Sequence, residues 1–197
     1  MTRARLTLLI PSLNSSTTTL DLKEKQLKYL QREAFENLNN INKLKLNDNE
    51  ITCIESSIFS NLLNLTKLEL QKNSIESILD DSFYGLANLK HLDLCNNKIE
   101  SIRLESFKHL IQLNYLDLSN NKIESIHEDS FKLLINLKHL NMSNNNIESI
   151  HRNTFGALIH LEDLRLFLNK LTTLHPDTFL SLNQLKRLDL DQNEIEN

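Results

Sequence analysis

Leucine at position 44 returns at 68, 92, 116, 140, 164 and 188, always 24 residues on, and most other apolar positions in the chain keep the same interval. A fixed period of this length marks a repeat architecture, in which each unit buries its apolar face only against its neighbours. Setting the first repeat position at Thr17, Ile41, Leu65, Leu89, Leu113, Leu137, Leu161 and Leu185 aligns the chain to its end without an insertion, as seven full units and a truncated eighth. Position four is Leu throughout, and position six is Leu except for Met142. Polar residues at positions three, five and seven alternate with these two, which predicts a short strand with one buried face. Stacked units join such strands into a parallel sheet.

Position nine is Asn from Asn49 to Asn193, with Lys25 the one departure. The chain must turn there, and a short amide satisfies backbone groups that the corner leaves orphaned, so the stacked amides are expected to form a ladder. Positions eleven and fourteen are always Leu or Ile. Position nineteen is Phe in all seven full units and position twenty-two is Leu, a three-residue spacing that puts both on one side of a helical or 3₁₀ turn on the outer face.

The resulting unit, LxxLxLxxNxIxxIxxxxFxxLxx, resembles the 24-residue leucine-rich repeat common in extracellular receptor and adhesion ectodomains. The resemblance covers residues 17–197. It implies an α/β fold: a leucine-rich-repeat solenoid, or horseshoe, with a concave parallel β-sheet and an irregular or 3₁₀ convex face. The stretch IPSLNSSTTTLDL (10–22) is similar to the tail of the N-terminal cap that precedes such repeats, so residues 1–16 are assigned as a lead-in and 17–197 as the repeat domain. The cysteines of such a cap are absent. Asn197 falls at position thirteen of the eighth unit, with no outer turn after it. A fragment lacking both cysteine-rich caps is therefore expected, with self-association through the uncapped C-terminal end as the alternative.

Two Gly and two Pro leave no room for a linker, so one structural domain is expected. MTRARLTLLI carries two arginines and a short apolar run interrupted by Thr7, weaker than a secretory leader. No stretch approaches the ~20 apolar residues of a membrane span. Cys53, at position thirteen, and Cys95, at position seven, lie more than one unit apart, beyond disulfide reach, and are read as free thiols. Sequons at Asn14, Asn64 and Asn141 occur about as often as this composition gives by chance.

Function falls to positions that the fold leaves free. Side chains at positions two, three, five, seven and eight face the inner side of the sheet, where Lys and Arg number ten and Asp and Glu also ten. This balance lacks the clustered positive charge of a nucleic-acid footprint. The candidate concave contacts are Lys67, Lys90, His91, Asp93, Tyr115, Asp117, His139, Asn141, Asp163, Arg165, Phe167 and Leu168. Phe167 and Leu168 stand at positions seven and eight, where other units carry mostly polar residues; with Tyr115 they are the expected anchors. The competing reading makes Phe167 the edge of a missing cap or a local repacking.

Other columns carry less. His127, His151 and His175 stack at position fifteen, but no recurring carboxylate completes a metal site, and solvated side chains are expected. Glu76, Glu100, Glu124 and Glu148 stack at position twelve and are read as a solvated ridge. Gly85 and Gly156 lie in separate outer turns, so there is no phosphate loop, and no nucleophile meets a His and a carboxylate in one pocket. We expect no cofactor and no enzymatic activity. Two functions follow: a secreted or cell-surface receptor or adhesion module that binds a protein ligand through its concave sheet, or an intracellular scaffold.

Overall fold

The computed structural model describes residues 13, 14 and 16–196. Most of the lead-in at 1–16, including the possible leader, lies outside the described residues, as does Asn197.

Among the described residues twelve short strands follow one another: β1 (Thr19–Asp21), β2 (Lys43–Lys45), β3 (Cys53–Ile54), β4 (Lys67–Glu69), β5 (Ser77–Ile78), β6 (His91–Asp93), β7 (Ser101–Ile102), β8 (Tyr115–Asp117), β9 (Ser125–Ile126), β10 (His139–Asn141), β11 (Asp163–Arg165) and β12 (Arg187–Asp189). Eight of them, in the order β1-β2-β4-β6-β8-β10-β11-β12, form one parallel sheet. Its register is that of the repeat: Leu20 lies beside Leu44, Leu68 beside Leu92 and Leu140 beside Leu164. The stacked coils form the solenoid expected from the repeat.

The interior is built from the seven apolar columns of the repeat. Leu20 to Leu164 at position four are essentially inaccessible to water, as are the residues at positions six and eleven from Leu22 to Leu166 and from Leu27 to Leu171. Each fully buried large side chain contributes roughly 1.5–3 kcal/mol of transfer free energy. Phe83, Phe107, Phe131, Phe155 and Phe179 form a spine behind them, with successive rings 6.0–6.4 Å apart and planes within 14° of parallel. In the eighth coil, which packs against one neighbour, Leu188 is 39% exposed.

The asparagine ladder is present. Asn97 donates from Nδ2 to the carbonyls of Leu94, in its own coil, and Leu70, in the coil before, while its Oδ1 accepts from the Ile75 amide. Asn73, Asn145 and Asn169 repeat the pattern, so each amide staples two coils, and each corner carbonyl accepts from two successive asparagines, Leu70 from Asn73 and Asn97 and Leu94 from Asn97 and Asn121.

Three features of the turns are not written in the Leu pattern. Position eight is left-handed in every coil: Glu24, Asp48, Lys72, Asn96, Asn120, Asn144, Leu168 and Gln192 have φ between 53° and 56°. On the descending flank, β3 pairs with β5 and β7 with β9. On the ascending flank a second set of amides, Asn64, Asn88 and Asn136 at position twenty-four, donates to the carbonyls of Asn39, Leu63 and Ile111. The outer face is mostly hydrogen-bonded turns, with 3₁₀ helix at Arg32–Phe35 and Pro176–Phe179.

Candidate functional site: the concave sheet

The alternation of each strand sends position four inward and positions three and five to the hollow side. Leu92 and Leu116 are buried while His91, Asp93 and Tyr115 keep part of their surface in water. All nine strand residues among the expected contacts lie side by side on this face: Lys67 on β4, His91 and Asp93 on β6, Tyr115 and Asp117 on β8, His139 and Asn141 on β10, and Asp163 and Arg165 on β11. Lys90 immediately precedes β6, and Phe167 and Leu168 follow β11 along the same edge.

Aromatic rings occupy the middle of position three. The His91 imidazole lies flat on Tyr115, centroids 4.2 Å apart and planes 5° apart, and His139 is tilted against the other side of Tyr115 at 6.2 Å. Burial, reinforced by Lys67, lowers the His91 pKa to about 4, so the ring is neutral at pH 7. Burial also raises the Tyr115 phenol, and the Asp117 carboxylate beside it adds to the shift.

Positions three and five divide into paired and unpaired acids. Asp21 meets Lys45 at 2.8 Å, Glu69 meets Lys43 at 2.9 Å and Lys67 at 3.0 Å, Asp163 meets Arg165 at 2.8 Å, and Asp189 meets Arg187 at 3.1 Å. Burial pushes the Glu69 carboxyl upward, but its two lysines outweigh it and the net shift is down. Asp93 and Asp117, at the centre of the sheet, have no cation within ion-pair distance among the described residues. Asp117 accepts instead from the Tyr115 hydroxyl at 3.1 Å, from the Ser119 amide and hydroxyl at 2.8 and 2.6 Å, and from Asn141 Nδ2 at 3.1 Å. Asp93 accepts from the Cys95 amide at 3.0 Å, and burial raises its pKa, with Asp117 and Glu69 contributing. Tyr115, His139, Asn141, Asp163 and Arg165 line a cavity of about 60 Å³ floored by Leu140.

Ser119 and Glu69 were not among the expected contacts. Their roles, holding Asp117 and gathering two lysines, depend on side-chain reach across strands, which single letters do not convey. Both cysteines are free, and burial beside Asp93 pushes the Cys95 thiol up to about 12. The position-fifteen histidines have a defined job in the turns: Nδ1 of His127, His151 and His175 accepts from the amides of Asp129, Asn153 and Asp177, two residues on. Among the described residues no group of three or more His, Cys, Asp or Glu could hold a metal ion, and no helix is long and apolar enough to cross a membrane.

The sequence profile of the leucine rich repeat matches six overlapping windows, 15–71, 39–97, 63–123, 87–147, 111–171 and 135–195. This chain belongs to the leucine-rich-repeat family, whose fold is a protein-binding scaffold and typically not a catalytic one. Among solved structures it is similar to the TLR13 chain of a TLR13–ssRNA13 complex, with a TM-score of 0.92 and 32% identity over 100% of this chain and 28% of that one. It is also similar to a leucine-rich-repeat protein of Leptospira interrogans, with a TM-score of 0.78 and 30% identity over 87% of this chain and 42% of that one. The chain thus spans less than half the length of either. No curated protein sequence matches it.

Proposed function

We propose that the chain is a recognition module that binds a protein ligand on its concave sheet, as part of a secreted or cell-surface receptor or adhesion protein. The observation that carries this reading is the surface at the centre of the sheet: ring faces of His91, Tyr115 and His139 beside two carboxylates that have no cation within ion-pair distance among the described residues. Aromatic groups with a polar surround are the usual anchors of protein interfaces, where a few residues carry most of the binding energy. Residues 17–197 act as the recognition domain, and Phe167 and Leu168 extend the contact surface toward its C-terminal end. The 24-residue repeat and the similarity to TLR13 favour an extracellular setting. The two free thiols are the feature that favours an intracellular scaffold instead.

The TLR13 structure holds single-stranded RNA, which makes RNA the second ligand class to weigh. Here the cations on the strands of the large sheet are engaged, Lys43 and Lys67 by Glu69, Lys45 by Asp21, Arg165 by Asp163 and Arg187 by Asp189, and Lys90 before β6 stands outside these pairs. A phosphate backbone laid along the groove would also meet Asp93 and Asp117, two like charges without an ion-pair partner among the described residues. Native capture of binding proteins, followed by affinity measurement for Tyr115→Ala and Asp117→Asn, tests the proposal. Both variants should weaken binding at least about tenfold, equivalent to ~1.4 kcal/mol. Saturable binding of single-stranded RNA at near-physiological salt, weakened by the same variants, would replace the protein reading with the RNA one.

A further inference from the structure

The ascending flank carries an apolar stripe that the repeat does not need. Position twenty-three is Leu63, Ala87, Ile111, Ile135 and Ile159 in five consecutive coils, and the four large side chains are 45–55% exposed. Single exposed aliphatic residues require no explanation, but five in line do. The stripe is bounded by polar ends, since the same position is Asn39 in the first coil and Asn183 in the seventh. Its backbone is prepared for the loss of water: the position-twenty-four amides of Asn64, Asn88 and Asn136 already satisfy the carbonyls of Asn39, Leu63 and Ile111.

Spacing and charge select the occupant. Coils repeat at the strand spacing of ~4.8 Å, close to the ~5.4 Å pitch of an α-helix, so one helical turn per coil keeps an apolar row in contact for about four turns. Three residues before and after Ile135 stand Lys132 and Lys138, the latter 3.5 Å from Glu162, and Lys90 lies three residues after Ala87. Lys108 flanks Ile111 but is held by Asp81 and Glu105. Among the residues three before and three after the stripe positions one is acidic, Glu162 beside Ile159, and it is taken up by Lys138 and Lys186. A second copy of this chain would set lysine rims against each other.

We infer that this flank binds an amphipathic α-helix of a partner protein, with an apolar row on the stripe and acidic residues on either side of it facing the lysines. The apolar stripe lies apart from the concave sheet, with Lys90 the one residue named in both, so the stripe can fail without the sheet.

The test uses the whole chain and two synthetic helical peptides of about four turns with the same leucine row, one flanked by Glu and one by Lys. Fluorescence anisotropy should show saturable binding of the Glu peptide alone. Binding should weaken at least about tenfold in the Ile111→Ser, Ile135→Ser double variant, and weaken with reduced salt dependence in Lys132→Gln. Tyr115→Ala should leave it unchanged. The substituted side chains are exposed, and an unaltered melting temperature confirms that folding is retained. Equal affinity for both peptides, no saturable binding, or unchanged affinity in the double Ser variant overturns the inference. Retention on phosphatidylserine vesicles that Ile135→Ser abolishes would give the stripe to a membrane, and concentration-dependent sedimentation abolished by the same change would give it to a second copy. Either result likewise overturns it.

Discussion

The imidazole of His91 lies face to face on the phenol ring of Tyr115, 4.2 Å between centroids, one strand apart on the concave sheet. Stacking of this kind fills the space between two neighbouring strands and removes water from both rings. It also prevents His91 from holding a proton near neutral pH, because burial and the adjacent Lys67 both disfavour its charged form.

The His91 ring should therefore titrate near pH 4. With a folded value below the ordinary one of 6.5, the unfolded chain takes up a proton first as pH falls, so stability is fully present above about 6.5 and declines between about 6.5 and 4. His91→Gln should flatten that part of the curve of melting temperature against pH. NMR titration checks the assignment directly: His91 ring signals should not move between about pH 5.5 and 7.5, and a midpoint near 6.5 contradicts it.

The asparagine ladder makes a sharper stability prediction. Asn97→Ala leaves the carbonyls of Leu70 and Leu94 and the amide of Ile75 without that partner inside the solenoid. The two carbonyls keep Asn73 and Asn121 as donors, so the Ile75 amide is the buried group left unsatisfied, and at ~1–3 kcal/mol for such a group a loss of about 2 kcal/mol is expected in urea denaturation. Asn88→Ala, which removes one exposed bond to the Leu63 carbonyl, should cost below about 1 kcal/mol. Equal losses would show that the two ladders do not differ in kind.

In the phenylalanine spine, Phe107 is sandwiched between Phe83 and Phe131 and is 1% exposed. Phe107→Ala should cost about 3–5 kcal/mol by equilibrium unfolding, with Phe107→Leu costing markedly less because more of the volume is kept. Phe179, which has one ring neighbour and is only partly buried, should tolerate truncation better.

Much of this was legible in the letters. Period, register, the one large sheet, the Asn corner and the Phe spine follow from columns in which a single residue type recurs, because stacking forces the same environment on the same position of every coil. The left-handed turn at position eight was hidden because Lys72, Gln192 and Leu168 share it with the more usual Asn96 and Asn120. The second amide ladder was obscured by Gln112 and His160, which interrupt its column. Column by column the concave face reads as evenly charged. Only side-chain reach reveals that its ends are ion-paired while Asp93 and Asp117 at the centre are not.

Leu168 tests whether local strain is tolerated for the sake of contact. It occupies the left-handed region at φ 55° and is 40% exposed, although that conformation favours Asn. Leu168→Asn should raise stability by about 0.5–1 kcal/mol in thermal or urea unfolding. If Leu168 anchors the ligand, the same change should weaken binding, and a variant both more stable and equally avid would remove it from the site.

The central claim is that the hollow of the sheet grips a protein. Its most direct measurement is the affinity, by biolayer interferometry, of a captured protein ligand for Tyr115→Ala on the concave face beside Glu100→Ala and Glu124→Ala on the descending flank. The account predicts a loss of at least about tenfold for Tyr115→Ala and no change for the two Glu variants. Unchanged affinity for Tyr115→Ala together with a loss at Glu100 or Glu124 would contradict it.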